Sequence, residues 1–94
     1  MTYKLRFHEK ALKEWHNLSK GIQEQFKKKL EQRLENPRVP SASLSGMKDC
    51  YKIKLRSVGY RLVYRVDDDV VYVTVISIGK RERLQVYLTA QNRL

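Results

Sequence analysis

Lys52, Lys54 and Arg61 are the residues of this chain whose types and spacing could do chemistry. They lie in the run Cys50 to Arg65, C-Y-K-I-K-L-R-S-V-G-Y-R-L-V-Y-R, and no acid occurs from Cys50 to Val66. A cluster of cations can hold a phosphate and stabilise charge that develops on it. Lysine is a poor base at its free pKa of about 10.4. Like charges packed together disfavour each added proton, which makes a lysine in such a cluster a better base than an isolated one. His8 and His16 are the only histidines, eight positions apart, with no acid arranged as a third ligand. No metal site is therefore expected. Cys50 is the single cysteine, which excludes an intramolecular disulfide and a finger-type zinc site. The chain has no phosphate-cradling glycine loop, no nucleophile elbow and no carboxylate pair at a plausible site.

The three cations need a sheet to bring them together. Tyr51, Ile53 and Leu55 alternate with Lys52, Lys54 and Arg56. After a turn at Ser57-Val58-Gly59, Tyr60, Leu62, Tyr64 and Val66 alternate with Arg61, Val63 and Arg65. Period two puts each set on its own face. If the aromatic and aliphatic residues share the buried face, Arg61 shares the other with Lys52, Lys54 and Arg56, and stands opposite Lys54 or opposite Arg56. Like charges facing each other across strands are destabilising, so a fold that accepts them is expected to have an anionic partner. The plainer reading is a solvated outer face. Solvated faces usually mix signs, and this hairpin does not.

The 94 residues allow one domain, spanning 1–94. A formal net charge of +10 and a pI near 10.0 favour a polyanionic partner, whether RNA, DNA or an acidic protein. Without an apolar N-terminal run or a long apolar stretch, neither signal peptide nor membrane span is expected, and a reduced, cytoplasmic protein is the simplest expectation.

Tyr3 to Phe7 alternates as a first strand. Ala11, Leu12, Trp15 and Leu18 recur at helical spacing and predict a helix from about Glu9 to Leu18, preceded by His8, a poor cap. Ser19 can cap a second helix with the stripe Ile22, Phe26, Leu30 and Leu34, ended by Asn36-Pro37. Arg38 to Asp49 reads as a loop, and Asp67-Asp68-Asp69 as a turn. Val70 to Ile78 is apolar on both faces, which predicts a central strand with the first strand on its far side. Leu84, Tyr87, Leu88 and Gln91 suggest a short terminal helix. The expected class is α+β: one compact domain, β-α-α-β-β-β-α, with an antiparallel sheet core and two helices on one face. The face with Lys52, Lys54 and Arg61 is then bordered only by the tail. Trp15 and Cys50 read as core, and Tyr60 and Tyr64 as core aromatics with a polar tip. On composition alone Arg81 and Tyr87 are ordinary tail residues. Lys27-Lys28-Lys29 reads as a solvated helix face, or as a second contact to a large polyanion.

The run M-K-D-C-Y-K-I-K-L-R-S-V-G-Y-R-L-V-Y, the later V-I-S-I-G-K-R-E-R and the V-Y near the end closely resemble RelE-type toxins of bacterial type II toxin-antitoxin systems, within the RelE/ParE superfamily. The early A-L-K-E-W and K-K-K-L resemble them too, so the similarity covers nearly the whole chain. The resemblance implies a microbial-ribonuclease-like fold and a ribosome-dependent endoribonuclease that cuts mRNA in the ribosomal A site. No metal or cofactor is implied. A cognate RelB-like antitoxin would silence the toxin, and operator DNA would be met only through the antitoxin complex. Carried over residue by residue, the family's strand lysines fall on Lys52 and Lys54 and its strand arginine on Arg61. Its arginine after the last core strand falls on Arg81, and its tail tyrosine on Tyr87. Lys27, Lys28, Lys29, Arg56, Lys80 and Arg83 are candidates for holding RNA or ribosome. One position departs: where close members have a basic residue before the loop glycine, this chain has Ser45.

RNA can be cut without metal if its 2′-hydroxyl attacks the neighbouring phosphorus. That step needs a base for the 2′-oxygen, positive charge for the phosphorane and help for the departing 5′-oxygen. Lys54, helped by Lys52, is expected to be the base and Arg61 the phosphorane stabiliser. Arg81 would neutralise or protonate the leaving group, and neutralising it is the better expectation since a guanidinium hardly loses a proton. Tyr87 would orient the substrate by stacking on a base, or serve as a base itself. Two rivals belong to other classes: a ParE-like toxin that inhibits DNA gyrase, and a non-catalytic RNA-binding protein.

Overall fold

The elements follow the hydrophobic periods closely. They are β1 (Lys4–Phe7), α1 (Glu9–His16), α2 (Lys20–Glu35), a 3₁₀ turn at Pro40–Ala42, β2 (Cys50–Leu55), β3 (Tyr60–Asp67), β4 (Tyr72–Lys80) and α3 (Gln85–Arg93). They are seen in a computed structural model, which describes residues 2–80 and 85–94. His8 does cap α1, its Nδ1 accepting from the Lys10 N–H at 3.1 Å. The helix stops at His16, two residues short of Leu18, because Ser19 is already the cap of α2 and must leave the helical conformation to accept from Ile22 N–H. Asn36 closes α2 ahead of Pro37.

The strand order is β1-β4-β3-β2. The β2/β3 and β3/β4 pairs are antiparallel and form the expected core, while β1 joins β4 in parallel. A parallel pair needs a crossover of a dozen or more residues, which the chain from α1 onward supplies. β4 lies between β1 and β3, and six of its residues in a row, Val73 to Ile78, are buried. The strand begins at Tyr72 rather than Val70. Val71 turns the chain with φ 58°, a conformation that β-branched residues rarely adopt. Between Val63 and Tyr64 the register slips, so that Val63 faces Ser77 and Tyr64 faces Val75. Ile76 is the extra residue of this bulge.

Each face of the sheet has its own apolar cluster. Ala11 and Trp15 of α1, with Phe26 and Leu30 of α2, cover Ile53, Leu62, Tyr64, Val66, Val73 and Val75. Trp15 ties the helices to the first strand, with its ring centroid 5.4 Å from Phe7 and 6.3 Å from Phe26. On the opposite face Val86 and Ala90 of α3 pack with Met47, Cys50, Val63 and Ile76. This corrects the expected apolar stripe of the terminal helix. Leu88 and Gln91 are exposed, and Leu84 lies outside the described residues. Val86 and Ala90 share one helical face at i, i+4, and their small size lets α3 lie close to the sheet.

Candidate active site

The hairpin turn decides which cations meet. Gly59 takes φ 70° and its N–H bonds Leu55 O at 2.9 Å, a closure that suits glycine. The resulting register sets Lys54 opposite Arg61 and Lys52 opposite Val63. Of the two pairings the alternation allowed, Lys54 with Arg61 is the one formed, and Arg56 is left exposed in the turn.

Tyr87 completes the cluster from α3. Arg61 Nη1 donates to the Tyr87 hydroxyl at 2.9 Å, and the guanidinium carbon lies 5.7 Å from the Tyr87 ring centroid. Lys52, Lys54, Arg61 and Tyr87 are all half-buried. Arg61 stands between two depressions. One, of about 390 Å³, is lined by Ser45, Met47, Lys52, Arg61, Tyr87 and Leu88 among others. The second, of about 240 Å³, is lined by Lys54, Arg56, Gly59, Tyr60 and Arg61 together with Leu55. Among the described residues no acidic side chain lines either one. Such a surface can accept an extended polyanion on both sides of Arg61, with a flat aromatic group available on each.

Contacts behind the sheet hold β2 in place. Arg33 of α2 donates from Nη1 to Lys52 O at 3.1 Å and to the Tyr64 hydroxyl at 2.9 Å. Tyr64 in turn donates to Pro37 O at 2.7 Å, and burial pushes its hydroxyl pKa up. At the start of β2, Arg38 bridges Asp49 at 3.0 Å and Asp68 at 2.6 Å. A hydrogen bond from Tyr3 and another from Arg38 hold the Asp68 carboxyl below the usual carboxylate range. Cys50 is buried, and burial raises its thiol pKa, so it serves as packing. The sequence reading missed Arg33 and Arg38 as supports. In the sequence Arg33 is one more cation off the α2 stripe, and Arg38 lies in a loop. Their partners lie 11 to 31 residues away, beyond any local pattern.

The fold brings Lys52, Lys54, Arg61 and Tyr87 together. Arg56 lines the smaller depression, and Lys80 Nζ sits 6.0 Å from the Tyr60 ring centroid. Lys27, Lys28 and Lys29 are exposed on α2, which covers the other face of the sheet. They are therefore remote from this cluster. Arg81 and Arg83 lie outside the described residues.

Comparison with known proteins places the chain among toxins. The family model of the ParE toxin of the type II toxin-antitoxin system parDE matches residues 5–85. The mRNA interferase toxin RelE of Escherichia coli K12 is 58% identical over 94 residues, covering 100% of this chain and 99% of that protein. A structure of the E. coli toxin RelE, an R81A/R83A mutant in the free state, superimposes with a TM-score of 0.92 at 56% identity, covering 100% of this chain and 99% of that one. The RelE toxin in the intact E. coli RelBE toxin-antitoxin complex gives 0.83 at 60% identity, covering 86% of this chain and 99% of that one.

Proposed function

The chain belongs to the RelE/ParE family of type II toxin-antitoxin toxins, and from that premise we propose that it is an mRNA endoribonuclease that stops translation on the ribosome. One observation carries the reading: Lys54, Arg61 and Tyr87 converge, with Lys52 beside them, on a face with no acid among its described lining residues. Polyanion binding alone would need the charge but not a tyrosine hydroxyl held on the central arginine.

The residues divide the work as follows. The scissile phosphate lies at Arg61, whose fixed donors meet the charge that develops on the non-bridging oxygens. Lys54, directly across the hairpin, takes the proton of the 2′-hydroxyl as its oxygen attacks phosphorus, with Lys52 adding positive charge. The 5′-oxygen leaves as the new bond forms, its charge met by Arg81, and takes up a proton from water to become a hydroxyl. The products are a 2′,3′-cyclic phosphate and a 5′-hydroxyl. Tyr87 orients the substrate by stacking on a base, which its ring can do while its hydroxyl stays on Arg61. Arg56, Lys80 and Arg83 track the RNA, and Lys27, Lys28 and Lys29 meet a larger body such as the ribosome from the far side.

A RelB-like antitoxin is the cognate inhibitor, as in the RelBE complex of the E. coli relative. The family model bears the ParE name, which keeps a gyrase inhibitor in view as a second reading. The relative identical at 58% over the whole chain is an mRNA interferase, and the nuclease residues are all present. Mapping RNA ends in cells after induction decides between them. New 5′-hydroxyl ends within codons are expected. Intact mRNA accompanied by gyrase-dependent DNA breaks would establish the ParE-type activity instead.

A further inference from the structure

Beyond Val75, the side of β4 that faces β1 has no strand to pair with among the described residues. β1 ends at Phe7, opposite Val75, and the chain turns into α1 at His8, whose N–H bonds Val75 O at 2.8 Å. Backbone groups in a buried stretch must find other partners. Two side chains from opposite ends of the sequence supply them. Glu14 of α1 accepts from the Ile78 N–H at 3.1 Å. Arg93, the last residue of α3, donates to Ile76 O at 2.8 Å.

The same two side chains also grip each other. Arg93 Nη1 lies 2.9 Å from Glu14 Oε1, and Nη2 lies 3.0 Å from Oε2. A two-pronged arginine-carboxylate pair is the strong, directional form of ion pair. Exposed pairs contribute little. This one is different, because Arg93 is only 13% exposed and Glu14 31%, and each also satisfies a backbone group of β4.

α3 has nine residues, too few to be a stable helix in water on its own. Its position therefore comes from what it docks against. Val86 and Ala90 supply apolar contact, and Ser77 Oγ donates to Val86 O at 2.8 Å. These anchor the start and middle of the helix, and Arg93 anchors its end. Tyr87 is carried between the anchors.

We propose that Glu14 and Arg93 are positioning residues for RNA cleavage: their ion pair clamps the end of α3 to β4 and so holds the Tyr87 hydroxyl on Arg61. The part concerning cleavage rests on the nuclease reading above, whereas the clamp itself does not. The test uses the full chain carrying Glu14→Gln or, independently, Arg93→Gln. The first arm is amide hydrogen exchange. α3 amides should exchange at least about tenfold faster while β3 and β4 amides keep their protection, the signature of local opening. Unchanged α3 exchange, or equal acceleration throughout the molecule, overturns the clamp. The second arm is single-turnover cleavage at saturating ribosome. Each substitution should slow the wild-type chain by about tenfold but a Tyr87→Ala chain by less than about twofold, as two residues acting through one contact must. Equal losses in both backgrounds would show that the pair does not act through Tyr87. A wild-type chain that cuts no RNA removes the nuclease reading, and the exchange arm then decides the clamp alone.

Discussion

Lys54 stands directly across the hairpin from Arg61, and the Tyr87 hydroxyl sits on the same guanidinium at 2.9 Å. Two like charges at one cross-strand step are unfavourable on a sheet. Here the pairing puts a candidate base and a phosphate-binding group within reach of one phosphodiester. That relationship leads to the first expectation. Arg61→Ala should lower the single-turnover rate on pre-bound ribosomes by about 10²–10³, and Lys54→Ala by about 10²–10⁴, with ribosome affinity largely kept. Lys27→Ala combined with Lys28→Ala should weaken binding at raised salt and leave the bound-state rate intact. Loss of affinity alone in the Lys54 and Arg61 variants would make the sheet face a binding surface only.

Purified protein should cut naked RNA very poorly. Among the described residues the cluster contains no histidine or carboxylate to serve as a ready base, so the chemistry depends on exact placement of the substrate. Positioning is worth about 7–11 kcal/mol, and the ribosome would supply it. The check is one mRNA assayed with and without ribosomes. Equal rates would mean that the protein positions RNA unaided.

Acid should weaken the fold through Asp68. Its carboxyl is held below its ordinary range by Tyr3 and then Arg38. The folded state thus binds that proton less readily than the unfolded one. The stabilisation is present above the ordinary Asp pKa of about 3.9 and is lost as pH falls through the lower folded value. Asp68→Asn should therefore have a lower denaturant midpoint than wild type at neutral pH, and the two should converge in strong acid. A constant gap at all pH values would assign the loss to packing instead.

The inhibitor segment should be acidic or amphipathic and should act by covering Arg61 and Arg81 or by displacing the helix around Tyr87. With a net charge of +10 on the toxin, association should slow as salt is added, because steering is screened beyond about 8–10 Å at ordinary ionic strength. Stopped-flow association rates that do not change between low and high salt would indicate apolar docking.

Much of the site was legible in the residues themselves. Alternation assigned Lys52, Lys54 and Arg61 to one face, because successive strand side chains point to opposite sides whatever the rest of the chain does. The β4 run announced a central strand for the same reason, and Pro37 and Ser19 marked the ends of α2 through purely local chemistry. Tyr87 was different. Periodicity alone left it an ordinary tail residue, and only the resemblance of the V-Y motif singled it out.

Tertiary structure decided what local rules leave open. Alternation permitted Arg61 to face Lys54 or Arg56, and the turn closed by Gly59 selected Lys54. The tail stripe moved to Val86 and Ala90 because the helix docks where small side chains allow close approach to Val63 and Ile76. Arg33, Arg38, Glu14 and Arg93 acquired their roles from partners 11 to 79 residues away. A side chain that satisfies a distant backbone carbonyl or carboxylate leaves no periodic trace in the chain. Its partner exists only once the sheet has formed and left that polar group without a strand to bond.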